Sequence, residues 1–300
     1  MDLGFLIPIG LMMASVGALV GVIALAKSRN RRPDKRSPLT EGLLRPPGQA
    51  LRDQLENLQW DVAGYMATAM AIPMMVYALY LQHLQSGRPD TPLTLAIYSL
   101  IALVAFGFVA WKTTAVVSAV RSKRLGLEAE MAAAEEINQL MRRGFTTFHD
   151  VPAGPGFNID HVIVGPTGVF AVETKGRPKQ ARGSGKAGST VRYDGKALQF
   201  PDRRETKPVD QANRTADWLH KWLTKAVGES VPVRAVLLLP GWWVERVGRG
   251  DVLVGNAKEI GQVVAPDRNI PPISGSLQTR IVHQLDQRCR NIEPRAYSDG

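Results

Sequence analysis

The stretch HDVPAGPGFNIDHVIVGPTGVFAVETK, residues 149–175, decides how the rest of the chain is read. Two β-type runs, residues 158–164 and 169–174, flank the turn Gly165-Pro166-Thr167-Gly168, which predicts a hairpin. Side chains alternate along a strand, so Glu173 and Lys175 share a face while Thr174 points to the other. A plain two-residue loop at Pro166-Thr167 places Asp160 directly opposite Glu173; a bulge at Gly168 would slip the pairing by one. Two adjacent carboxylates repel, and a hard divalent cation such as Mg²⁺ relieves this because it prefers oxygen ligands and keeps several waters. Such a cation polarises a phosphoryl oxygen and activates bound water, while Lys175 orients the nucleophile or stabilises charge growing on phosphorus. Taken alone, E-x-K is an exposed ion pair on a strand and Asp160 a turn cap, so the surroundings carry the argument.

On the N-terminal side, Leu127, Met131, Ala134, Ile137, Leu140 and Met141 recur at helical spacing and predict a helix over residues 116–143 that ends at Gly144. A strand over 145–151 follows. On the C-terminal side come a hairpin over 191–200 centred on Asp194-Gly195, a helix over 209–227, and an apolar strand over 233–239 between Pro232 and Pro240. This order suits an α/β domain with a mixed sheet flanked by helices.

The run from Gly126 to Ile137, the HDV at residues 149–151, the NIDHVIVGPTGVFAVETK stretch and the helix bearing Gln211 together resemble the nuclease-related domain (NERD), itself similar to the PD-(D/E)XK nuclease superfamily. The resemblance covers residues 120–265 and implies a restriction-endonuclease-like core with the acid and the E-x-K on adjacent strands. By position it makes Asp160 and Glu173 metal ligands, Lys175 the catalytic lysine and Glu130 the additional helix acid, although Glu128, Glu135 and Glu136 are also available on that helix. Gln211 matches the polar position opening the family's second helix, or is an ordinary glutamine at a helix N-terminus. His161 follows the acid in the signature, but alternation points it to the opposite face, which suits packing or hydrogen bonding.

Residues 176–190 are longer than the link usual in the family. Gly183, Gly185 and Gly188 have G-x-G-x-x-G spacing, but a β-type run follows where a dinucleotide site needs a helix, and Ala187 after Gly185-Lys186 excludes a P-loop. From residue 175 to 214, eleven Lys or Arg face four acids, a net +7 suited to a nucleic-acid backbone or to acidic lipid. Gln211, Arg177, Lys179, Arg182 and Lys186 are the candidate nucleic-acid contacts. Trp242-Trp243 could stack on a base, pack at a buried edge or lie near a membrane.

The first third of the chain has another chemistry. Residues 3–26 hold no charge, and residues 62–81 and 93–111 are similarly apolar, each long enough to span a bilayer. Only Asp2 precedes the first run and six basic residues follow it, which reads as a retained anchor rather than a signal peptide. The loop over 27–61 holds eight Lys or Arg against Arg88 alone in the 82–92 loop, which puts the N-terminus outside and the C-terminal domain in the cytoplasm of a multi-pass inner-membrane protein. None of the three runs holds an ionisable side chain, which argues against a transport pathway. Residues 28–60 turn amphipathic around Leu51, Leu55 and Leu58 and read as an interfacial helix or a solvated loop. The expected organisation is an anchor over residues 1–111, a juxtamembrane helix over 112–125, the nuclease-like domain over 126–265 and a C-terminal helix and tail over 266–300. Of the net charge of +10, residues 112–300 hold +8. The single cysteine, Cys289, excludes an intrachain disulfide. The expected activity is Mg²⁺- or Mn²⁺-dependent hydrolysis of DNA, or of RNA; the alternative is a catalytically silent module that binds nucleic acid or tethers it to the bilayer.

Overall fold

The computed structural model describes Gly21 and residues 42–87, 89, 91–154, 156–179, 185–266 and 272–292. The run over residues 3–26, apart from Gly21, and most of the basic loop after it lie outside the described residues. Among the described residues the chain forms two units, one of Gln59–Val117 and one of Leu43–Leu58 with Ser118–Ile292.

After a short strand β1, Leu43–Leu44, come two long helices, α1 over Gln49–Gln85 and α2 over Pro92–Asn138. Both are long and apolar enough to cross a membrane by length and composition, so the described residues contain two such helices rather than three. Met70, Leu93, Leu103 and Trp111 are 62 to 69% exposed, so the apolar stretches of these helices are not buried in a core. Residues 93–138 were expected to be a span, a linker and a separate domain helix, and instead form one helix of 47 residues with its first residue, roughly 70 Å long. The reason is local: no proline falls between Pro92 and Asn138, and the charges after residue 111 do not interrupt backbone hydrogen bonds. A 3-10 turn, Gln139–Arg143, ends the run, and the N–H of Gly144, at φ +80°, donates to the carbonyls of Leu140 and Met141.

Within the second unit a five-stranded mixed sheet has the order β10-β8-β4-β3-β2, where β2 is Thr146–Gly154, β3 Phe157–Gly165, β4 Gly168–Thr174, β8 Val233–Leu238 and β10 Leu253–Gly255. The β2-β3-β4 meander is antiparallel, while β8 runs parallel to β4 and β10. A second sheet has the order β7-β6-β5-β9, with β5 at Thr190–Tyr193, β6 at Leu198–Gln199, β7 at Arg204–Glu205 and β9 at Trp243–Arg246. Alternation in the large sheet separates two cores. One holds Val162, Val169, Ala171 and Leu237 with helix α3, Lys207–Val227, and the inner face of the small sheet. The other holds Ile163, Phe170, Val172 and Leu238 against Ala133 and Ile137 of α2 and Ile260 of the short helix α4, Ile260–Val263. Helix α3 forms because Val209, Ala212, Ala216, Leu219 and Leu223 repeat every three or four residues and are all buried. Helix α5, Gly275–Cys289, packs Leu277, Ile281, Leu285 and the buried Cys289 on the first core.

Residues 43–58, read from sequence as part of the loop between spans, are a strap on the second unit. Strand β1 pairs with β11, Arg290–Ile292, and Leu55 is buried. The Arg45 guanidinium donates to Asp150 Oδ2 through Nε at 2.9 Å and through Nη2, and the backbone N–H of Ala50 donates to the same oxygen at 3.0 Å. Asn158 Nδ2 donates to Asp150 Oδ1 at 3.0 Å. Asp150 is the one non-glycine residue at positive φ, +48°, among the described residues, and these four donors hold it there.

Arg45→Ala leaves a buried carboxylate without its counter-charge, and the expected loss is about 3 kcal/mol in unfolding of the second unit. Denaturant titration of the detergent-solubilised chain measures it, and Asp150→Asn, which keeps a polar group without the charge, is expected to lose less.

Candidate active site

The hairpin register places the first two acids. The pairs run from Gly165 opposite Gly168 to His161 opposite Val172, with Pro166 and Thr167 alone in the turn and no slip at Gly168. The ladder stops at His161. The Asp160 carboxylate takes over, its Oδ2 accepting the backbone N–H of Thr174 at 2.6 Å. On the other side of β4, Glu173 pairs with Leu237 and the N–H of Lys175 donates to the carbonyl of Leu238, so β8 holds this strand end straight. Glu173 and Lys175 do share a face: Nζ lies 2.5 Å from Glu173 Oε1.

Helix α3 brings Gln211, whose Nε2 donates to the same Glu173 Oε1 at 2.7 Å. Helix α2 brings Glu130. The approach depends on Gly176, where a Cβ would stand 2.6 Å from the Leu125 carbonyl oxygen and 3.0 Å from Ala129 Cβ, so no larger residue permits the chain to pass that close to α2. Glu130 is buried at 8% exposure.

Four carboxylates therefore share this end of the sheet, and the electrostatics of Glu130, Asp160 and Glu173 show it. Burial pushes Glu130 up to about 7, reinforced by the charges of Asp150 and Glu173 and opposed by Lys175. Burial, then Glu173 and Glu130, hold Asp160 well above the usual carboxylate range, against the Thr174 N–H and Lys175. Burial raises Glu173, and Lys175, Arg214 and Gln211 offset part of it. The second oxygen of Glu173, Oε2, is buried with no hydrogen-bond partner. A bare buried carboxylate oxygen beside a second carboxylate fits a divalent cation, which would satisfy it. Among the described residues no group of three or more His, Cys, Asp or Glu side chains is arranged to hold a metal ion, so a cation at Asp160 and Glu173 would complete its shell with water.

On the opposite face, His161 is fully buried and its Nδ1 lies 2.8 Å from His149 Nδ1, while His149 Nε2 lies 3.0 Å from Asn138 Oδ1. Asn138 Oδ1 accepts, so His149 carries its proton on Nε2 and accepts at Nδ1 from His161. Burial depresses both imidazoles, His149 to about 4. This pair ties β2 and β3 to Asn138 at the end of α2.

The basic residues divide. Arg177 is committed to Glu205, with Nε at 3.1 Å from Oε1 and Nη2 at 2.7 Å from Oε2, and Arg203 Nε reaches the same carboxylate at 2.6 Å. Lys179 Nζ lies 5.6 Å from the centre of the buried Trp242 ring, and Lys186 Nζ lies 4.5 Å from that of the exposed Trp243. Arg182 is outside the described residues. A cleft of about 550 Å³ is lined by Lys175, Arg177, Arg204, Glu205, Lys207 and Gln211 at the N-terminus of α3, whose dipole favours anions. A second, of about 700 Å³, shares Arg177 and Glu205 and adds Arg121, Arg124 and Arg203. Sequence reasoning missed Asp150 as a member of the acidic group. The HDV at residues 149–151 signalled it, but the partner that makes it a buried charge, Arg45, lies 105 residues away.

Residues 125–240 match the family model of the nuclease-related domain. No curated protein and no solved structure matches the chain.

Glu130 ionises at 4.5 in the unfolded chain and about 7 in the fold. The folded state therefore keeps a proton that the unfolded state releases, and stability falls as pH rises through that window, by up to about 3 kcal/mol. Glu130→Gln removes this term, so its stability advantage over the parent is expected to grow from pH 4.5 to 7 and then level off, as read from thermal melts across pH. The depressed imidazole of His149 acts with the opposite sign, costing stability as pH falls from 6.5 towards 4.

Proposed function

We propose that this chain, whose residues 125–240 carry the nuclease-related domain, is a membrane-anchored, metal-dependent nuclease that hydrolyses phosphodiester bonds of DNA on the cytoplasmic side. The observation that carries the reading is the Glu173 carboxylate, with Lys175 and Gln211 on one oxygen and the other oxygen bare beside Asp160. A restriction-endonuclease-like core is part of the proposal. Its support is the acid on β3, the E-x-K that begins on the adjacent antiparallel β4 and ends just past it, and a buried helix acid.

In this reading Asp160 and Glu173 hold Mg²⁺ or Mn²⁺. When bound, the cation supplies Lewis-acid polarisation of a phosphoryl oxygen and a more acidic water. Gln211 fixes the Glu173 rotamer through its 2.7 Å hydrogen bond. Lys175 donates to the nucleophile or to the non-bridging oxygens as charge grows on phosphorus. Glu130, ionising at about 7, holds or releases a proton near Lys175 at neutral pH. The two basic clefts seat the sugar-phosphate backbone across the site. The anchor is the apolar parts of α1 and α2, and the excess of Lys and Arg over residues 27–61 supports a cytoplasmic domain.

One observation favours a second reading, binding without turnover: the described residues gather no group of three metal-holding side chains. Cleavage of plasmid and single-stranded DNA by the detergent-solubilised chain with Mg²⁺ or Mn²⁺ separates the two. Asp160→Ala and Lys175→Ala are each expected to lower the rate at least about a hundredfold. Binding that weakens steeply with salt and never leads to cutting would establish the tether instead.

For orientation, a periplasm-dependent reporter fused after Gly300 is expected to be silent and one fused near Ser86 active. The reverse pattern would overturn the cytoplasmic assignment.

A further inference from the structure

The small sheet buries one face and bares the other. Val191, Tyr193, Leu198 and Val244 are buried in the first core, whereas Arg192, Gln199, Arg204 and Trp243 are exposed. The register sets a row across this outer face: Glu245 on β9 is opposite Arg192 on β5, Arg192 opposite Gln199 on β6, and Gln199 opposite Arg204 on β7. Trp243 stands two pairs along, opposite Thr190, and is 54% exposed with the Lys186 ammonium 4.5 Å from its ring centre. At the far end of the row, Arg204 also lines the cleft that holds Lys175 and Gln211. Three interstrand steps of about 4.8 Å separate the ends of the row.

We propose that this outer face is a platform for single-stranded nucleic acid, with a base stacked on Trp243 and the backbone led over Arg192 and Arg204 into the cleft at Lys175. This deepens the nuclease reading and rests on it. An indole face accepts a base only where that base is unstacked, which a single strand offers and an intact duplex does not. The arginines are available to phosphate. Arg192 pairs with Glu245 at 3.9 Å and Arg204 with Asp194 at 3.0 Å, but both pairs are about half exposed or more, and such pairs are weak enough to exchange. A hollow of about 570 Å³ lined by Lys186, Thr190, Arg192, Gln199 and Phe200 reaches the residue paired with Trp243 and leaves room for a nucleotide. Acidic lipid fits this face less well, because one aromatic ring stands among Thr190, Arg192, Gln199 and Glu245 rather than in an apolar cluster.

The test uses the full chain in phosphatidylcholine nanodiscs and the anisotropy of labelled oligothymidylate and of a duplex of equal length. Trp243→Ala is expected to weaken oligothymidylate binding about 10- to 100-fold and duplex binding less than about twofold, with Trp243→Phe retaining most of the affinity. If Trp243→Ala leaves single-strand binding unchanged, or weakens both probes equally, the platform is overturned while the nuclease reading stands. If the parent chain binds neither probe, both fall. Loss confined to co-sedimentation with phosphatidylglycerol vesicles would overturn the platform in favour of lipid.

Discussion

The confinement of like charge is the constraint from which the second unit is organised. Asp160, Glu173, Glu130 and Asp150 converge at one end of the large sheet, where burial makes the ionised forms of Asp160, Glu173 and Glu130 costly. Three of the four are answered by donors: Thr174 N–H for Asp160, Lys175 and Gln211 for Glu173, Arg45 for Asp150. Such an arrangement cannot relax locally, because its compensating groups come from β4, α3 and the strap before α1. The rest of the unit is packed so as to hold those elements together.

The same constraint explains why the helix carrying Glu130 approaches so closely. Gly176 removes the side chain that would keep the end of β4 away from Leu125 and Ala129. Glu130 lies on the part of α2 that belongs to the second unit. Similarly, α1 begins within the strap that pins Asp150 and continues as an apolar helix.

Legibility in the sequence followed the range of the forces involved. The β3-β4 hairpin was readable because a tight turn and strand alternation are local, and they put Asp160, Glu173 and Lys175 together without reference to the rest of the chain. Helix α3 was readable from its apolar period, and the strand following it from its flanking prolines. Strands β7, β9 and β10 were not, because they are short and gain their ladders only from partners far along the chain. The basic insert was legible as charge, but the pairing of Arg177 with Glu205 was not, since nothing at residue 177 points to a glutamate 28 positions later.

By itself the sequence determined the apolar character of the N-terminal third, the α/β order of the remainder, and the acid, acid and lysine on one hairpin, because hydropathy, periodicity and turn chemistry act over a few residues. Tertiary structure decided which helix acid joins them, that Asp150 belongs to the group, that Gln211 holds Glu173, and that Arg45 closes the strap. Those outcomes depend on long-range approach and on the energy of buried charge, which exists only once the chain has excluded water from around it.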